Sequence, residues 1–157
     1  MNNTQQNNEH ETSIVKEVKL IVTNRKIKII GIAIILGLII IYTFALFVPV
    51  ENIYPDMVMF NYISLIACFI LCFTSVNVRK ILLKRMNGNS FSEKYSSAYI
   101  LSFAQCDLGG LLCIITNLII NQNLIFATTG LLLSVFFILI NFPRNDGVRK
   151  KIIIYYC

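Results

Sequence analysis

Ile29-Ile30-Gly31-Ile32-Ala33-Ile34-Ile35-Leu36-Gly37-Leu38-Ile39-Ile40-Ile41-Tyr42-Thr43-Phe44-Ala45-Leu46-Phe47-Val48 is a run of 20 residues without a charge. A helix needs about 20 apolar residues to cross a hydrocarbon core of roughly 30 Å, and buried helices of soluble proteins more often stop after about 10–14. Downstream, Met57–Val78 carries no charge, Tyr95–Ile120 carries only Asp107, and Asn123–Phe142 carries none. Four such runs in 157 residues, with 56% of the chain hydrophobic and 14% charged, leave little room for a soluble domain. The expected fold is all-α: a polytopic four-helix transmembrane bundle with spans at about 29–48, 57–78, 97–120 and 123–142.

The charges between the runs predict orientation. Five of the 14 Lys and Arg residues precede the first run, from Lys16 to Lys28. Another five, from Arg79 to Lys94, separate the second and third, and the last four follow the fourth, from Arg144 to Lys151. The remaining connections, Pro49–Asp56 and Asn121–Gln122, have none, and the first holds Glu51 and Asp56. Cytoplasmic loops are enriched in Lys and Arg, so both termini and the central connection are expected in the cytoplasm. The net charge of +6 then reads as attraction to anionic lipid headgroups at the inner surface rather than to nucleic acid. No cleavable signal is visible, because a long polar segment precedes the first run and no A-x-A site follows it. It reads as a retained anchor, and a bacterial inner membrane is the expected location.

Outside the spans, residues 1–12 read as a disordered polar tail, with Asn and Gln dominating the first eight positions. Residues 13–28 form a basic juxtamembrane segment in which Ile14, Val18, Ile21 and Val22 recur at helical spacing. They make either an amphipathic helix on the inner surface or an extension of the first span into the cytoplasm. Asn87-Gly88-Asn89-Ser90 and Asn121-Gln122-Asn123 are turn signals. The second makes the third and fourth spans antiparallel neighbours. Residues 143–157 are a basic tail ending in an apolar stretch too short to span.

The third span carries the information. Ser102, Cys106, Gly109 and Cys113 fall on one helical face, with Gly110 beside them. Small residues let helix backbones approach where lipid supplies no hydrophobic drive, so this face is expected to pack against another helix. Asp107 lies beside the stripe near mid-span. An acid at the bilayer centre costs about 2.5–3.5 kcal/mol on insertion scales, and such residues face the bundle interior and mark function. No Lys or Arg lies in any span, so the carboxyl is expected to be uncharged within one chain. Candidate donors are Asn61, Ser64, Thr128 and Thr129. Asp107 is therefore a candidate either for an interhelical hydrogen bond or for a proton or cation site.

Phe103-Ala104-Gln105-Cys106-Asp107-Leu108-Gly109-Gly110-Leu111-Leu112 resembles the carboxylate-bearing helix of rotary ATP synthase c subunits, in which small residues flank one buried acid. The regularly spaced glycines of the companion helix in that family are missing here. The hairpin from Ala104 through Asp107 to Phe142-Pro143-Arg144 resembles small four-span bacterial membrane proteins of unknown function. That resemblance implies an architecture and no activity.

Catalysis is not expected. Asp107 is alone among the spans, with no His, Lys or Arg beside it, and phosphate-binding, Ser-His-Asp and metal-protease motifs are absent. Of the five cysteines, Cys68, Cys72, Cys106 and Cys113 sit in spans without a CxxC motif and read as small apolar residues. No metal or cofactor is implied. The sequence points to a small interaction or accessory subunit, pairing with itself or with another membrane protein, and alternatively to an oligomer that moves protons or cations through Asp107.

Overall fold

In a computed structural model, the chain is described over residues 3–48, 58–84, 91–120 and 124–143, with side chains from 18 in the first segment and 93 in the third. The connections at 49–57, 85–90 and 121–123 and the tail at 144–157 lie outside the described residues, and with them the turns expected there. Four helices follow one another: α1 (Asn3–Phe47), α2 (Val58–Lys84), α3 (Phe91–Ile120) and α4 (Leu124–Ile140). Three stretches, Val18–Phe47, Val58–Lys84 and Glu93–Ile120, are long and apolar enough to cross a membrane. The fourth helix is apolar but only 17 residues long.

α1, α2 and α3 outrun their hydrophobic runs at their basic ends, whereas α4 stops inside its run at both ends. α2 continues past Val78 to Lys84, and α3 begins at Phe91 rather than near 97. Once nucleated, a helix gains one backbone bond for each residue it adds, so it need not stop where hydrophobicity does. α1 does the same over a greater length. It is one helix from Asn3, passing through the residues whose composition suggests a disordered tail and through the basic segment 13–28. That segment is thus continuous with the first span rather than a separate helix on the membrane surface.

α1 packs through one stripe. Leu20, Asn24, Ile27, Gly31 and Leu38 are buried at spacings of three, four and seven, while Ile32, Leu36 and Ile40 on the other faces are exposed. The stripe lies on α3 and, less extensively, on α4. Only 11% of the apolar window of α1 is buried, against 44% for α3, so α3 is the central helix and α1 the peripheral one.

α2, α3 and α4 meet along stripes of small side chains. α2 contributes Asn61, Ser64, Cys68, Cys72 and Ser75, and α4 contributes Ala127, Gly130 and Ser134. Between them α3 buries Ala98, Ser102, Cys106, Gly109 and Cys113. A methyl group on Gly109 would lie 3.3 Å from the Cα of Cys68, and one on Gly110 would lie 2.8 Å from the Ser134 hydroxyl. The helices touch almost backbone to backbone, as small residues permit.

The basic end is closed by aromatic rings. Tyr95, Tyr99, Phe103 and Phe142 follow one another in tilted and edge-to-face contacts at centroid separations of 4.9, 6.4 and 5.7 Å. Gly31 leaves room for the rings of Phe142 and Phe103. α4 ends beneath them: Asn141 N–H donates to Phe137 O at 3.0 Å, Phe142 N–H tightens to Leu139 O at 3.2 Å, and Pro143 has no N–H to continue. At the opposite end the Tyr42 and Thr128 hydroxyls share a hydrogen bond of 2.6 Å, joining α1 to α4.

Candidate functional site: a polar seam and the Asp107 edge

The buried face of α3 lies against a line of thiols and hydroxyls. Ser75 is its node at the basic end. Its hydroxyl donates to Cys72 O at 2.6 Å and accepts from the Asn141 amide at 2.9 Å and the Cys106 thiol at 3.2 Å. Ser102 donates to the Ser75 carbonyl at 3.3 Å. Three helices are thereby joined at one hydroxyl. Further along, the Ser134 hydroxyl lies 3.7 Å from the Cys68 sulfur and 3.9 Å from that of Cys72, and the Cys113 thiol donates to Ser64 O at 3.5 Å.

All four of these cysteines are free and buried. Their thiols neighbour one another in the order Cys113, Cys68, Cys72, Cys106, a row rather than a convergent cluster. Among the described residues no group of three or more His, Cys, Asp or Glu side chains is arranged around a common metal position. Ser102, Cys106, Gly109 and Cys113 thus lie together against α2, and Gly110 turns toward Ser134 of α4 and Leu38 of α1.

Asp107 stands apart from the seam. Successive residues of a helix are rotated by about 100°, so the side chain after Cys106 points well away from the face that Cys106 buries. Phe103 and Gly110, one turn to either side of Asp107, touch Gly31 and Leu38 of α1. Ala104 and Leu108 are exposed, and Asp107 itself is partly buried. The carboxyl therefore occupies the edge where the α1–α3 contact gives way to an open helix face, and not the interior of the bundle.

Three of its four expected donors are engaged elsewhere, and the fourth, the Asn61 side-chain amide, has no hydrogen-bond partner among the described residues. Ser64 donates to Asn61 O, Thr128 to Leu124 O and Thr129 to Ile125 O. Asn61 is fully buried on the α2 side of the core. Among the described residues Asp107 has no hydrogen-bond or ion-pair partner.

Two features escape a reading by sequence. Asn141 looks like a helix-ending residue before Phe-Pro, yet its side chain is fully buried in the Ser75 node. Arg79 looks like one more basic loop residue, yet its guanidinium donates to Ile140 O at 3.4 Å and lies 5.5 Å from the centre of the Tyr99 ring. The only sequence signal for either is a polar residue at the register of a small-residue stripe or an aromatic row. No family model matches this chain, and neither a curated protein nor a solved structure matches it.

Proposed function

We propose that this chain is a four-span protein of a bacterial inner membrane, with both termini cytoplasmic, that works as a small interaction or accessory subunit of a membrane assembly. The observation that carries the reading is Asp107: an acid near the middle of an apolar helix, at its open edge, with no partner among the described residues. Such a residue costs about 2.5–3.5 kcal/mol to insert, and nothing described in the chain recovers that cost. Contact with another molecule would recover it.

Topology rests on charge. Lys19, Arg25, Lys26 and Lys28 of α1, Arg79, Lys80 and Lys84 of α2, and Lys94 of α3 all belong to the end closed by the aromatic row, or extend beyond it. Anionic headgroups at the inner surface would hold this end at about 1 kcal/mol for each basic residue near the surface. α4, at 17 residues, falls at the short end of the spanning range of about 17–25 residues.

The test is the size of the particle in mild detergent. Tagged wild-type chain extracted from native membranes should migrate on a blue-native gel in an assembly larger than the monomer, and Asp107→Leu should release the monomer. A wild-type monomer would overturn the reading.

The alternative is an oligomer that passes protons or cations through Asp107, favoured by the same lack of a fixed partner. Proteoliposomes with an imposed proton gradient decide between them. Flux in the wild type that disappears in Asp107→Asn supports transport, because the amide does not titrate.

A further inference from the structure

We infer that the Asp107 edge of α3 docks a transmembrane helix of another protein carrying a Lys or Arg at mid-membrane depth. The inference rests on the interaction reading above and specifies the partner. Charged side chains inside a bilayer are found paired with one another, and this chain has no counter-charge to offer. None of the apolar runs at 29–48, 57–78, 97–120 and 123–142 contains Lys, Arg or His, so a second copy could bring hydroxyls, thiols, amides and its own Asp107 to that depth, but no positive charge.

The surroundings suit a long basic side chain. Ala104, one turn before Asp107, is exposed and small, so a neighbouring backbone can approach. The exposed Leu108 and partly buried Leu111 give an apolar wall for the methylene stem of a Lys or Arg. Phe103 and Gly110, already packed on α1, fix the rotation of α3, so the carboxyl is held at the edge without the partner. Arg is the better fit of the two, since its fork can take both carboxylate oxygens at once.

The experiment places a photoreactive amino acid at Ala104 or Leu108 in the full chain, irradiates intact membranes and identifies crosslinked peptides by mass spectrometry. The exposed Phe69 on α2 serves as the control position. The expected product is a transmembrane segment of another protein with a Lys or Arg within one turn of the crosslink. Its yield should fall at least tenfold in Asp107→Leu, persist in Asp107→Glu, and be absent from the control position. Protection of the buried thiols from maleimide shows that each variant is folded. Crosslinks to a second copy, to a segment without a basic residue, or to lipid alone overturn the inference. If the wild type still migrates as a large assembly in those cases, the interaction reading stands and another face carries it. If it migrates as a monomer, both fall.

Discussion

The side-chain amide of Asn141 donates to the hydroxyl of Ser75 across 2.9 Å, with both groups fully buried between α2 and α4. Ser75 Oγ also accepts from Cys106, so α2, α3 and the end of α4 meet at one oxygen. Replacing either Asn141 or Ser75 by Ala leaves a buried polar atom short of a partner, at a cost of about 1–3 kcal/mol. The pair should couple in a double-mutant cycle by about 0.6 kcal/mol, and by no more than about 1.7. Unfolding in SDS followed by circular dichroism measures it, and zero coupling would dissolve the node.

Glycines in this protein differ in what surrounds them. A methyl group on Gly130 would run into the Cβ and sulfur of Cys113, whereas one on Gly37 meets nothing within 4 Å. Gly130→Ala should cost about 1–3 kcal/mol through overpacking. Gly37→Ala should be neutral or stabilise by up to about 1 kcal/mol, since Ala is the better helix former. Thermal unfolding in detergent separates the two, and equal effects would contradict the close α3–α4 approach.

Cys68, Cys72, Cys106 and Cys113 are at most 1% exposed. In a Cys157→Ser background, maleimide should leave the folded chain in membranes unmodified and add four labels after SDS denaturation. Labels gained before denaturation would mean that the seam opens to solvent.

Arg79 ties α2 to the last carbonyl of α4, that of Ile140, and to the ring of Tyr99. Tyr99 is buried; a cation over an aromatic ring is worth about 0.5–2 kcal/mol, more as the site is desolvated, and a positive charge at a helix C-terminus adds about 0.3–1. Arg79→Ala should lower the melting temperature. Arg79→Lys should lower it less, since the charge remains but the planar fork does not. Indistinguishable melting of all three would remove Arg79 from the closure of the basic end.

If Asp107 serves a partner, it is a burden to the chain alone. Asp107→Leu should raise the yield of inserted protein and its resistance to unfolding, because no hydrogen bond among the described residues is lost and the intramembrane acid is gone. A marked loss of stability would instead assign Asp107 a role within the bundle.

Uncharged runs of this length made the apolar helices legible, because a chain able to cross a bilayer has few alternatives to a helix. They did not give the ends: Val58–Lys84 extends well past the apolar stop at Val78, since hydrophobicity reports depth and hydrogen bonding reports helix. The stripe through Ser102, Cys106, Gly109 and Cys113 could be read from spacing alone. Its partners Ser75, Cys68, Ser64 and Gly130 could not, because spacing within one helix says nothing about the rotation of the next. The same gap explains Asp107. Its place near the middle of an apolar run is legible in the sequence, but which side of α3 is left open depends on where α1 packs.

α1 rests on α3 and α4, with little on α2. During synthesis α1 is made before the other three helices and would be the last of the four to find its seat. Two-thirds of its fully buried positions after Asn24, namely Gly31 and Leu38 beside Ile27, face surfaces that exist only once the hairpin of α3 and α4 has arrived. Biogenesis would then pass through a state with one unpaired helix, and that interval is when a chaperone or insertase would have most to hold.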